Sequence, residues 1–137
     1  MIIAARKIAT IVRCVERARE EYASAGNAFR TDYTRQDAAL LNVTRACEAG
    51  IDLSNALVRE RRLGISADAR QSFALLEQAN LIPSDLSLRL QRMIGFRNIA
   101  VHQYQDPNLD IAEAVIREGL EDLLLFAETV RGHFERS

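Results

Sequence analysis

Residues 96–104 read Phe96-Arg97-Asn98-Ile99-Ala100-Val101-His102-Gln103-Tyr104. A permanently charged fork, an amide, an imidazole and a phenol crowd into this short span. Such a set suits a phosphodiester. Arg97 would hold the scissile phosphate and the charge that develops on it. His102 would act as general base or acid on a ribose hydroxyl. Asn98 would orient the imidazole or the phosphate. A capped helix end, with Arg97 and His102 satisfying the last carbonyls, uses the same residues, and the chemistry alone leaves both readings open.

Helical geometry constrains the set. At about 100° per residue, Asn98 and His102 share a face, with Gly95 a further turn back on the same stripe. A glycine there would let another backbone or a substrate come close. Arg97 falls about 140° from His102 on an ideal helix, so the two do not converge well within one straight helix. The helix bends or ends near His102, or a two-fold dimer brings both residues of both chains to one cleft. Beyond His102 the chain is expected to leave the helix before Pro107. In an extended segment His102 and Tyr104 would point the same way.

The elements that must hold this cluster are helical nearly throughout. A first helix is expected over about residues 2–23, with Ile8, Ile11, Val15, Ala18 and Tyr22 as its apolar stripe and Gly26-Asn27 as its end. A second runs from about Asp32 to Arg62, carries Leu40, Val43, Cys47, Ile51 and Val58, and stops at Gly64. A short third follows Ser66 as cap, with Phe73, Leu76 and Ala79. A fourth starts near Ser84 with Leu86, Leu90, Met93 and Ile94. A fifth starts at Asp106-Pro107, a cap followed by proline, and runs to about residue 134 through Ile116, Leu120, Leu123, Ala127, Val130 and Phe134. Leu124, Leu125 and Phe126 complete its apolar run, so it is either a buried central helix or one with a face for a partner chain. The second helix also bears a polar stripe, Arg45, Glu48, Asp52, Asn55 and Arg59. This is a solvated face, or else Glu48 or Asp52 faces the Arg97/His102 site. Arg59, Arg61 and Arg62 read as a solvated helix end or a short track for an RNA backbone.

Composition narrows the classes. The 137 residues suit one domain, 1–137, with 48% apolar residues for its core. Only 6 glycines and 2 prolines argue against a sandwich or barrel. With 18 basic and 19 acidic residues the net charge is −1, which excludes a generic polycationic nucleic-acid binder. All the basic residues but Lys7 are arginine. Cys14 and Cys47 form no metal pattern or disulfide framework and read as small apolar residues of a reducing cytoplasm. The sequence contains no G-x-G-x-x-G, P-loop, H-E-x-x-H or serine elbow. His133, near the end of the last helix, reads as structural. No signal peptide or membrane span is expected.

The segment Arg97-Asn98-x-x-x-His102-x-Tyr104 resembles the R-x-x-x-x-H-x-Y motif of HepT-like toxins, members of the HEPN superfamily. The approach Leu90-Gln91-Arg92-Met93-Ile94-Gly95-Phe96 resembles the family's, as do Ser72–Leu76 through Pro83 and Arg45–Leu53. The resemblance covers about residues 2–134. It implies an all-α HEPN four-helix bundle with an additional short helix, dimeric, whose two motifs line one cleft. It also implies a cofactor-free, metal-independent endoribonuclease cleaving RNA (tRNA or mRNA), the toxin of a type VII-like toxin–antitoxin pair. Arg97 and His102 would be catalytic, with Asn98, Glu48 and Asp52 supporting. The implied partner is a minimal nucleotidyltransferase antitoxin, which would transfer AMP to Tyr104 and so place bulk and charge beside His102. The homodimer would act alone or within a larger assembly with that partner. The competing readings are a non-catalytic nucleotide-binding subunit of a nucleotidyltransferase complex and a structural dimerisation bundle.

Overall fold

The computed structural model describes residues 2–102 and 108–134, with the side chains of residues 2 and 98–102 outside the description. The described elements are all helical: α1 (Ile2–Ala25), a 3₁₀ turn (Gly26–Ala28), α2 (Tyr33–Glu60), α3 (Ala69–Gln78), α4 (Ser84–His102), α5 (Leu109–Ala114), a π-helical turn (Val115–Gly119) and α6 (Leu120–Arg131). The last three run on as one rod, so four long rods and the short α3 make an all-α bundle. None of the described helices is long and apolar enough to cross a membrane.

The apolar stripes do the packing. Ile8, Ile11, Val15 and Ala18 of α1 face Val43, Cys47, Leu53 and Leu57 of α2, and all of them are buried. Ile116, Leu120, Leu123, Phe126, Ala127 and Val130 bury the last rod against α1, α2 and α4. Leu124 is partly buried and Leu125 exposed, so this rod shows one narrow apolar fringe and not a broad apolar face. Phe73 of α3 meets Phe126 of α6 edge-on, with centroids 5.2 Å apart. Gly50 lets α2 and α6 approach closely: a Cβ there would stand 2.9 Å from Leu123 Cδ2. The hydroxyls of Ser54 and Ser72, both fully buried, satisfy each other at 2.6 Å between α2 and α3.

Three helix boundaries differ from expectation. α3 is capped by Asp68, whose side chain accepts from Gln71 N at 2.9 Å. Ser66 instead donates to Asn55 Oδ1. α2 does not stop on Gly64: Arg62 takes the left-handed turn (φ 53°), and Leu63 N reaches back to Val58 O at 3.0 Å. The last rod begins at Leu109 with Asn108 as its cap, Oδ1 accepting from Ile111 N, while the expected cap Asp106 and Pro107 lie outside the described residues. At the two caps a nearby residue of similar capping ability took the role, and at the end of α2 the backbone bond from Leu63 to Val58 set the turn at Arg62.

Candidate active site

The site is built where the second half of α4 passes α2 and the start of α3. Leu86, Leu90, Met93, Ile94 and Phe96 are buried and anchor α4. Between these anchors the helix presents Arg97. A cleft of about 440 Å³ opens there, lined by Asp68, Ala69, Arg70, Ile94 and Arg97. A larger groove of about 880 Å³ runs along α1 and α6 past Ile8, Val12 and Phe134, and among the described residues it is lined by none of the cluster.

Arg97 is positioned from below and from the side. Its Nε is buried, while the side chain as a whole keeps 29% of its exposure. Nη2 approaches Glu48 Oε1 of α2 at 3.7 Å. Glu48 itself is 52% exposed, so the pair is open to water and weak. This distance exceeds that of a charge-assisted hydrogen bond, and a phosphate can exchange with the carboxylate. Of the two acidic residues singled out on α2, Glu48 therefore meets Arg97. Asp52, one turn on, is held by Lys7 of α1 at 2.8 Å.

Beneath the pair lies Cys47, with its thiol fully buried. Burial pushes this thiol up to about 12, against the opposing pull of the Arg97 cation and with a further push from Glu48. It stays protonated at neutral pH, so it supplies packing and not a nucleophile.

His102 is the last described residue of α4, and Asn98 lies one turn before it on the same helix. The side chains of Asn98 and His102, and Tyr104 altogether, lie outside the described residues. The register of α4 places Gly95, Asn98 and His102 on one stripe. What comes close at Gly95 is neither backbone nor open space but the Arg70 guanidinium: a Cβ at Gly95 would stand 2.9 Å from Arg70 Nη2. Sequence reasoning missed Arg70, because α3 and α4 lie 25 residues apart at this contact and no spacing rule links them. The glycine was the one available signal.

Two other polar residues make structural contacts. Arg61 donates to the His133 carbonyl oxygen and ties the end of α2 to the turn after α6. His133 sits in that turn, its N–H on Val130 O at 2.9 Å. Among the described residues no group of three His, Cys, Asp or Glu is placed to hold a metal ion.

The cleft thus gathers two guanidiniums, with two carboxylates at its rim already engaged, Glu48 with Arg97 and Asp68 with a backbone N–H. Such a cleft suits a polyanion, and the helix that lines it with Arg97 also carries His102. Comparison with known proteins gives that arrangement its context. Over residues 11–130 the chain matches the family model described as ribonuclease HepT-like. It is 47% identical over 125 residues to the mRNA nuclease HepT of Shewanella oneidensis, covering 91% of this chain and 93% of that protein. The tri-AMPylated Shewanella oneidensis HEPN toxin, solved in complex with an MNT antitoxin, superposes with a TM-score of 0.88 at 45% identity, covering 95% of this chain and 97% of that one. A toxin–antitoxin crystal structure with AMP-PNP gives 0.87 at 45% identity over 93% and 97% of the two chains. With its helical bundle, its R-x-x-x-x-H-x-Y segment and this breadth of likeness, the chain belongs to the HepT-like ribonuclease family.

Proposed function

We propose that this chain is the RNA-cleaving toxin of a HEPN/nucleotidyltransferase pair and that Arg97 and His102 carry its chemistry. The observation that carries the reading is Arg97, on the same helix as His102, seated over buried Cys47 and opening into the cleft through an exchangeable pair with Glu48 of α2. Its substrate class is that of the relative named an mRNA nuclease.

The reaction needs little machinery. A ribose 2′-hydroxyl gives its proton to an imidazole and attacks the neighbouring phosphorus. The bond from phosphorus to the 5′-oxygen breaks, that oxygen takes up a proton, and a cyclic phosphate remains. Arg97 binds the equatorial oxygens as charge builds. In a homodimer, the two motifs line one cleft, so that one imidazole serves as base and the other as acid. Asn98 supports the imidazole, and Glu48 holds Arg97 in place when no phosphate is bound. Asp52 supports at one remove, through the α1–α2 contact it makes with Lys7.

Neutralisation follows the relatives, one of which is tri-AMPylated in complex with its MNT antitoxin. A nucleotidyltransferase partner transfers AMP from ATP to the Tyr104 phenol oxygen, releasing pyrophosphate, and the added phosphates compete with RNA for Arg97.

The test is cleavage of RNA by purified wild type beside His102→Ala, in excess chelator. Wild type should leave cyclic phosphate ends, and the variant should lose roughly 10²–10⁴-fold in rate. Equal silence of both, with an unmodified intact mass, would favour a binding subunit. Co-expression with the partner should add AMP to wild type and not to Tyr104→Phe.

A further inference from the structure

We propose that Arg70 is a second phosphate-binding arm of this cleft, gripping a phosphodiester that flanks the scissile one on the same RNA strand. The proposal rests on the ribonuclease reading above and extends it to how the strand is held.

Three features of the geometry carry it. Arg70 is the second residue of α3, and the start of α3 is fixed on both sides: Asp68 accepts from Gln71 N at 2.9 Å, and Ala67 N donates to Gln71 Oε1. The arm therefore springs from a rigid base. Its guanidinium then lies over Gly95, in space that any side chain at 95 would fill. Gly95 belongs to the α4 stripe of Asn98 and His102, about 10 Å along the axis from His102. Arg97 reaches the same cleft from the other side of buried Ile94. Among the described residues no carboxylate pairs with Arg70, in contrast to Arg97 with Glu48. A strand whose scissile phosphate sits on Arg97 would cross this cleft and meet Arg70 next. A guanidinium there adds one charge-assisted contact to the backbone and reads no base, so it raises affinity without choosing sequence.

The readout that separates this role from a structural one is salt dependence. Each phosphate neutralised on a single strand contributes about 0.7 to the slope of log affinity against log salt. In wild type, Arg70→Gln and Gly95→Ala, kcat and KM for a single-stranded oligoribonucleotide are measured across a salt series, with thermal melts to verify folding. Arg70→Gln should lower the slope of log(kcat/KM) by about 0.7 and raise KM roughly tenfold, with kcat changed far less. Gly95→Ala leaves the arginine but displaces its end, and should reproduce the loss of slope. Cleavage by Arg70→Gln with the wild-type slope would overturn the proposal. The wild-type slope in Gly95→Ala alone would overturn the pose over Gly95. Wild type of unmodified intact mass that fails to cleave would bring down the ribonuclease reading and, with it, this extension, a result distinct from cleavage with an unchanged slope.

Discussion

Arg30 and Arg97 are the same residue in opposite circumstances. Arg30, after the 3₁₀ turn, is clasped by two carboxylates of α5: Nε donates to Glu113 Oε1 at 3.0 Å, and Nη2 to Asp110. Tyr22 OH donates to Glu113 as well, and burial pushes this phenol up, helped by the Glu113 charge. The hydrogen bonds from Asp110 and then Glu113 raise the Arg30 guanidinium, and Arg30 in turn holds the Asp110 carboxyl below its usual range. Arg97 meets Glu48 at the longer distance of 3.7 Å, in a pair open to water. A fork saturated by two acids joins pieces of chain. A fork whose exposed carboxylate stands off at a distance can exchange that carboxylate for an incoming anion. The bundle uses its arginines for both purposes, and the partners and distances tell them apart where residue type does not.

That contrast predicts opposite phenotypes. Arg97→Ala should lower kcat/KM for RNA by about 10²–10³-fold while leaving the melting temperature close to wild type. A large fall in melting temperature would make Arg97 a clasp too. Arg30→Ala should do the reverse, with cleavage preserved and melting lowered by a few degrees. Its deficit should also depend on acid. Because the folded Asp110 carboxyl lies below the usual 3.8, the clasp stabilises fully above that value and fades as pH falls through the lowered one. Melting curves of wild type and Arg30→Ala should therefore converge in strong acid, and a constant gap would mean that Asp110 is not the partner that matters. The smallest effect belongs to Glu48→Gln. Removing the competing carboxylate should lower KM for RNA by about threefold at low salt and less at high salt, as for an exposed pair. A rise in KM would show that Glu48 positions Arg97 for binding more than it competes.

Much of this was readable in the residues. α4 begins at the expected Ser84, and Ile8, Ile11, Val15 and Ala18, or Ile116 through Val130, lie buried as their three-and-four spacing requires. The polar stripe of α2 brought Glu48 to Arg97 because a surface left over from packing must face something. What spacing could not supply were choices between near-equals and contacts across the chain. Ser66 and Asp68 are both able caps, and only the bond from Ser66 to Asn55 separates them. Gly64 is a better left-handed residue than Arg62, yet Arg62 turns because Leu63 must fold back onto Val58. The π-helical turn at Val115–Gly119 has no periodic signature, and Arg70 over Gly95 is a meeting of α3 with α4 that no single helix encodes.

The Lys7–Asp52 contact has a practical side. With one lysine in 137 residues, amine-directed reagents find one side chain besides the chain's first amine. That side chain is tied to α2 a single turn from Glu48. A dye or cross-linker attached there would report from a known address at the α1–α2 seam. Acylation would erase the charge and release Asp52, making this junction a ready handle for watching the bundle from outside its cleft.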